Sequence, residues 1–166
     1  MWKKGDIVLH GSDGVCRITD IRRMDLIGEG MTNYYILESV YKKGLTIYVE
    51  VGEGDDDLRL PMERDEIDAL IRTIPDIKKA QWISNDKLRQ TELSRQIRDS
   101  SLHELFSITN MLYERKQELT NAGKKFRASD EQLLSRAENI INRELAYGIG
   151  HKPEEVPVYI RKILAG

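Results

Sequence analysis

Three histidines, one cysteine and an acidic run are the residues of this chain best equipped for chemistry, and their spacing does not join them. His10, His103 and His151 stand far apart, and none has a Cys or a second His at metal-ligand spacing. Cys16 is the single cysteine, so no intramolecular disulfide can form. Its apolar, strand-like surroundings suit a small core residue. Gly52-Glu53-Gly54-Asp55-Asp56-Asp57 offers carboxylates, but it lacks the alternating oxygen ligands and closing glutamate of a calcium loop. A solvated acidic turn is the expectation there. No serine sits in a Gly-x-Ser-x-Gly elbow, and no glycine-rich loop leads into Lys-Ser/Thr. Gly28-Glu29-Gly30 lacks a third glycine and reads as a hairpin turn. The sequence therefore points away from an enzyme, with no cofactor, no metal and no small-molecule substrate expected.

The elements that must position any binding site fall into two halves. Ile7-Val8-Leu9, the stretch from Gly14 to Ile21, Tyr34-Tyr35-Ile36-Leu37 and Leu45-Thr46-Ile47-Tyr48-Val49 are short apolar runs rich in β-branched and aromatic residues. Gly11-Ser12-Asp13-Gly14, Gly28-Glu29-Gly30 and Lys42-Lys43-Gly44 separate them as turns. Four or five strands in so short a span predict a bent antiparallel sheet or small, partly open barrel. From Glu63 the period turns helical. Ile67, Leu70, Ile71 and Ile74 make one stripe that Pro75 ends. A second helix is expected from Ser84 to about Arg98, with a thin stripe of Leu88, Leu93 and Ile97. A third starts at Ser101, which stands at capping-box spacing from Glu104, and stops at Asn121-Ala122-Gly123. A fourth begins at Ser129 and closes at Gly148 and Gly150. A fifth runs from Pro153, with Val156, Ile160 and Leu164 facing inward. The fold class is thus α+β: a β module over residues 1–62, then an all-α module of about five helices over 63–166.

Charge is unevenly spread along this frame. Residues 78–127 hold 11 Lys/Arg against 6 Asp/Glu. The other segments are net acidic, with 8 against 11 in 1–62, 2 against 5 in 63–77 and 5 against 6 in 128–166. An anionic partner should meet the middle of the chain, although helices also solvate themselves with Lys and Arg. The N-terminus lacks the apolar core of a signal peptide, and no run approaches the ~20 apolar residues of a membrane span. A cytoplasmic protein with no membrane partner is expected.

The opening Trp2-Lys3-Lys4-Gly5-Asp6-Ile7-Val8-Leu9-His10-Gly11-Ser12-Asp13-Gly14-Val15 resembles the start of the CarD family (the CarD/CdnL group). The similarity continues through Tyr34-Tyr35-Ile36-Leu37, Leu45-Thr46-Ile47-Tyr48-Val49 and Leu58-Arg59. It reaches Trp82 with Lys87, then Leu133, Leu134, Ala137, Ile140, Glu144 and Leu145. Each motif is short; their order carries the resemblance.

The resemblance implies a bacterial transcription regulator with two grips. A Tudor-like N-terminal module, shared with the transcription-repair coupling factor, would add a strand to the β-subunit lobe of RNA polymerase. Strand addition needs an exposed edge with free N–H and C=O groups. Leu45, Thr46, Ile47, Tyr48 and Val49 are the candidate edge, with Tyr48 either an anchor or an ordinary half-buried strand residue. Well-known members carry arginines for the polymerase lobe where this chain has Met24 and Tyr48, and Arg22 and Arg23 stand beside Met24 as substitutes. The helical module would lie on promoter DNA at the upstream fork of the transcription bubble and stabilise the open complex. Trp82 would be a minor-groove wedge, with Lys78, Lys79, Lys87 and Arg89 holding phosphates. By composition alone a Trp such as Trp82 is more often a core residue. Ser84 and Asn85 would bond phosphates or cap the helix. The rival reading is a protein-only adaptor that docks on polymerase and recruits another regulator, with Trp82 as a protein hot spot.

Overall fold

The computed structural model describes residues 1–166, the side chain of Ser12 excepted. Five strands precede five helices, an α+β order. The chain separates into two compact units, Met1–Met62 and Glu63–Gly166.

In the first unit β1 (Ile7–His10), β2 (Gly14–Met24), β3 (Thr32–Ser39), β4 (Thr46–Glu50) and β5 (Leu58–Arg59) form one antiparallel sheet. The order across it is β4-β3-β2-β1-β5. Alternation along the strands sends Val8, Cys16, Ile18, Tyr35, Leu37 and Val49 into a shared core, on which Trp2 and Ile47 pack. Register slips between Ile18 and Asp20. The extra residue, Thr19, spends its hydroxyl on the Ile36 carbonyl at 3.1 Å. Beyond this bulge Asp20, Arg22 and Met24 stand across from Ile36, Tyr34 and Thr32.

The two edges of the sheet differ in length. β5 has 2 residues and β4 has 5. After β4 the chain folds back on itself, and Gly54 N–H donates to the Glu50 carbonyl at 2.9 Å. Glycine is required there, because a Cβ would lie 2.5 Å from Val49 Cγ1 and 2.7 Å from that carbonyl. Leu45 lies just outside the strand, with its carbonyl accepting from Ser39 N–H.

The second unit holds α1 (Arg64–Thr73), α2 (Asp86–Asp99), α3 (Leu102–Asn121), α4 (Ala128–Ile149) and α5 (Val156–Ala165). The helix α4 packs on all four others. Its buried face includes Leu133, Leu134, Ala137, Ile141 and Leu145. Ser101 and Glu104 make the expected capping box at α3. Gly150, at φ 69°, closes α4 in the left-handed conformation, while Gly148 lies within the helix. The helix α2 begins two residues later than expected. Asn85, not Ser84, is its cap, and Asn85 Oδ1 accepts from Leu88 N–H at 2.9 Å. Pro153 opens a 3-10 turn rather than α5 itself. Leu164, expected inward, is 41% exposed. The helix α5 is fastened instead by Tyr159, whose hydroxyl donates to Asp68 and whose ring meets Arg64. No helix among the described residues is long and apolar enough to cross a membrane.

Candidate functional site

Two places combine exposed polar capacity with rigid support. The first is the free side of β4. Val51 N–H donates to Asn33 O at 2.9 Å, and Ser39 N–H to Leu45 O at 3.2 Å. These bonds fix the phase of the ladder. Ile47 and Val49, paired with Leu37 and Tyr35, turn their backbone toward β3. Thr46, Tyr48 and Glu50 turn theirs outward. The Glu50 carbonyl is taken by Gly54, which leaves three N–H groups and two carbonyls open along β4.

The side chains follow the same alternation. Tyr48 is 48% exposed, whereas Val49 is buried and Ile47 packs on the core. Leu45, Ile47 and Val49 were expected among the contacts, yet their inward backbone leaves the edge to Thr46 and Tyr48, with Glu50 in addition. Arg22 lies across β3 from Glu50, two residues along from the Ile36–Tyr48 pair. Its Nε donates to Asp20 at 2.7 Å, so the guanidinium is partly spoken for. This bond, with the Ile21 N–H, holds the Asp20 carboxyl below its ordinary range. Arg23 is exposed, and strand alternation sends it to the opposite face; Met24 is half-buried.

The second place is the extended segment before α2. Ser107 on α3 pins this segment twice: its Oγ donates to the Lys78 carbonyl, and its carbonyl accepts from Ala80 N–H. Trp82 is half-buried, and two guanidinium groups lie over its ring, Arg89 at 4.2 Å and Arg115 at 5.1 Å. Such contacts contribute about 0.5–2 kcal/mol each, and more as water is excluded.

Arg89 was expected at the DNA surface, and the structure corrects this. The residue is 2% exposed. Its Nε and Nη2 donate to the two carboxylate oxygens of Asp130 at 2.8 and 2.9 Å, Nη1 donates to the Ile83 carbonyl, and Nη2 also reaches Asp86. These partners push the Arg89 pKa still higher, Asp130 foremost. A buried guanidinium with four of its five N–H groups bonded is turned away from any phosphate; it is the bed on which Trp82 rests. Asn85 spends only its Oδ1 on the cap, so its exposed Nδ2 remains the donor available to a phosphate.

Lys78, Ser84 and Lys87 are exposed. Lys79 is exposed and pairs with Glu114 at 2.9 Å. Arg115 and Arg127, which the sequence did not single out, join this surface from α3 and from the start of α4. Arg127 pairs with Asp86 at 3.0 Å and Arg115 with Glu118 at 3.4 Å. Exposed pairs of this kind are worth about 0–1 kcal/mol, so an incoming phosphate can displace their carboxylates. The signal for both arginines was present only as the basic surplus of residues 78–127.

Elsewhere, a cavity of about 370 Å³ opens among α3, α4 and α5, lined in part by Phe106, Asn110, Glu138 and Arg161. Burial raises the Glu138 pKa, with Glu131 adding to it. Among the described residues, no group of three His, Cys, Asp or Glu side chains gathers as a metal site.

A small antiparallel sheet with one two-residue edge and one longer, open edge has the geometry that strand addition requires. Residues 2–73 match the family model of the CarD-like/TRCF RID domain. The N-terminal part of the chain is a domain of that family, a non-catalytic module of RNA polymerase interaction. The matched residues end with α1, so Trp82 and the helices after it lie beyond them. No curated protein matches the chain.

Proposed function

We propose that this protein is a bacterial transcription regulator that docks on the β-subunit lobe of RNA polymerase through β4 and steadies the promoter open complex through the helical unit. The observation that carries the docking half is the outward row of N–H and C=O groups at Thr46, Tyr48 and Glu50, in a domain whose family interacts with polymerase. An extended strand of the lobe would complete the sheet there, with Tyr48 supplying the side-chain anchor and Arg22, Arg23 and Met24 contributing from β2.

The helical unit supplies the second grip. Trp82 presents the unburied part of a ring already held by Arg89 and Arg115, which lowers the entropy lost on contact. Lys78, Lys79 and Lys87, with Ser84 beside them, face the phosphates at the upstream fork of the bubble, and Arg115 and Arg127 extend the row. Such a surface binds DNA weakly and without sequence preference. Tethering to polymerase supplies the effective concentration it needs. If the ring contacts only an opened fork, it shifts melting by that differential affinity alone. The work is done without catalysis, cofactor or metal, in the cytoplasm at the nucleoid.

A second reading, the protein-only adaptor, draws on the pairing of Lys79, Arg115 and Arg127 with carboxylates and the burial of Arg89. These leave a surface less cationic than its composition, and one that could take a protein instead of DNA.

The docking half is tested by titrating the full chain against bacterial core RNA polymerase, as wild type and as Thr46→Pro. Proline is tolerated where an edge-strand N–H points to solvent, so the variant folds but loses an outward donor. We expect a loss of affinity of about tenfold, a single hydrogen bond plus a steric block. Unchanged affinity in a folded variant contradicts strand addition at β4.

A further inference from the structure

The β2–β3 hairpin carries exposed apolar residues that no core uses. Leu26 is 45% exposed, Ile27 69% and Met31 57%, all within the connection between Met24 and Thr32. Apolar residues scattered singly on a surface need no explanation, but three in six positions at a protruding tip do. The connection has a defined shape. Gly28 N–H donates to Asp25 Oδ1 at 2.6 Å, and Gly28 and Gly30 take φ of 79° and 113°. No Cβ would clash at either glycine, so their role is conformational: they turn the chain so that the apolar side chains stay out.

The position of the tip says what it meets. Met24 pairs with Thr32, and neither is in the backbone register with β4, although Thr32 Oγ1 donates to Glu50 Oε1 at 3.2 Å; the hairpin thus overhangs the Glu50 end of the open edge. A partner body large enough to align a strand with Thr46–Glu50 extends past that end toward the tip. The tip's own charges, Asp25 and Glu29, disfavour a phosphate backbone or an anionic bilayer and suit an apolar recess with a basic rim.

We infer that the hairpin tip is a second, apolar contact of this domain with RNA polymerase, seating Leu26, Ile27 and Met31 in a recess beside the strand that β4 pairs. The inference rests on the polymerase-docking reading. It adds a specificity element to it: backbone pairing accepts many sequences, whereas a shaped apolar tip selects the surface next to the paired strand.

The test is a titration of the full chain against bacterial core RNA polymerase with four proteins: wild type, Thr46→Pro, the double variant Leu26→Ser/Ile27→Ser, and Leu26→Met/Ile27→Met. Circular dichroism confirms folding, sedimentation reports self-association, and flotation with phosphatidylcholine/phosphatidylserine vesicles reports membrane binding. The serine variant should bind polymerase about tenfold more weakly or worse, as expected when anchor residues are lost, and the methionine variant should keep most of the affinity. Wild-type affinity in the serine variant overturns the inference, and if Thr46→Pro is weakened in the same experiment the docking reading survives alone. Wild type that does not bind polymerase overturns both. Self-association or vesicle binding that the serine pair abolishes, with polymerase affinity intact, also overturns it and gives the tip to a second copy or to a bilayer.

Discussion

The open edge of β4 and the segment around Trp82 solve the problem of presenting a binding surface in opposite ways. At β4 the unsatisfied groups belong to the backbone, at Thr46, Tyr48 and Glu50, and a buried core behind Val49 holds them in line. Nothing in the first unit has to move for a strand to pair there. Around Trp82 the groups are side chains, and several have partners already: Arg89 with Asp130, Arg127 with Asp86, Lys79 with Glu114. A partner at the second place must exchange those contacts, while Lys78 and Lys87 stand exposed beside them. The difference teaches that affinity should reside mainly in the sheet, while the helical unit is poised for a conditional contact.

The largest effect that would break this comparison is at Asp130. Asp130→Ala strands a buried guanidinium, and loss of one partner of such a pair costs about 3–5 kcal/mol. Urea unfolding followed by helical circular dichroism should show that loss, with polymerase affinity of the folded protein unchanged. A cost below about 1 kcal/mol would mean that Arg89 does not depend on Asp130, contrary to a fixed bed for Trp82. Next in size is Gly54→Ala. Its Cβ must push Val49 and the Glu50 carbonyl aside, at about 1–3 kcal/mol for overpacking. Here stability and polymerase affinity should fall together, because the displaced residues belong to β4. Stability lost with affinity intact would place docking elsewhere.

The smallest expected effect is at Cys16. Burial pushes its thiol up to about 11 from 9.0, with Asp13 adding to the shift. The protonated form is therefore the one the folded state prefers. Stability should be flat below pH 9 on this account and decline as the thiolate forms in the unfolded chain, between pH 9 and about 11. At pH 8 a thiol reagent should label Cys16 no faster than the first unit opens; rapid labelling of folded protein would contradict a sealed core.

Much of this was legible in the sequence. The β-branched run Thr46-Ile47-Tyr48-Val49 announced a strand, and the Ser101–Glu104 spacing announced a helix start, because both depend on neighbours in the chain. Arg89 was not legible. Its partner lies 41 residues away on another helix, and a Lys/Arg-rich stretch gives no hint that one arginine turns inward. Ser84 and Asn85 were both plausible caps, and only backbone geometry chose Asn85. Leu164 fits the helical period of α5, yet the burial of that helix is concentrated at Val156 and Leu164 stays exposed. The alternation that exposes Tyr48 was readable, but the phase of the ladder, which decides whose backbone points outward, required the register with β3.

The most direct test of the central claim is the lifetime of competitor-challenged open complexes on a ribosomal-RNA-type promoter, formed with bacterial RNA polymerase and no added protein, wild type, or Trp82→Ala. The account predicts a longer lifetime with wild type and much less extension with the variant, while both bind polymerase equally. An unchanged lifetime with wild type bound to polymerase, or full extension by Trp82→Ala, would contradict it and favour the protein-only adaptor.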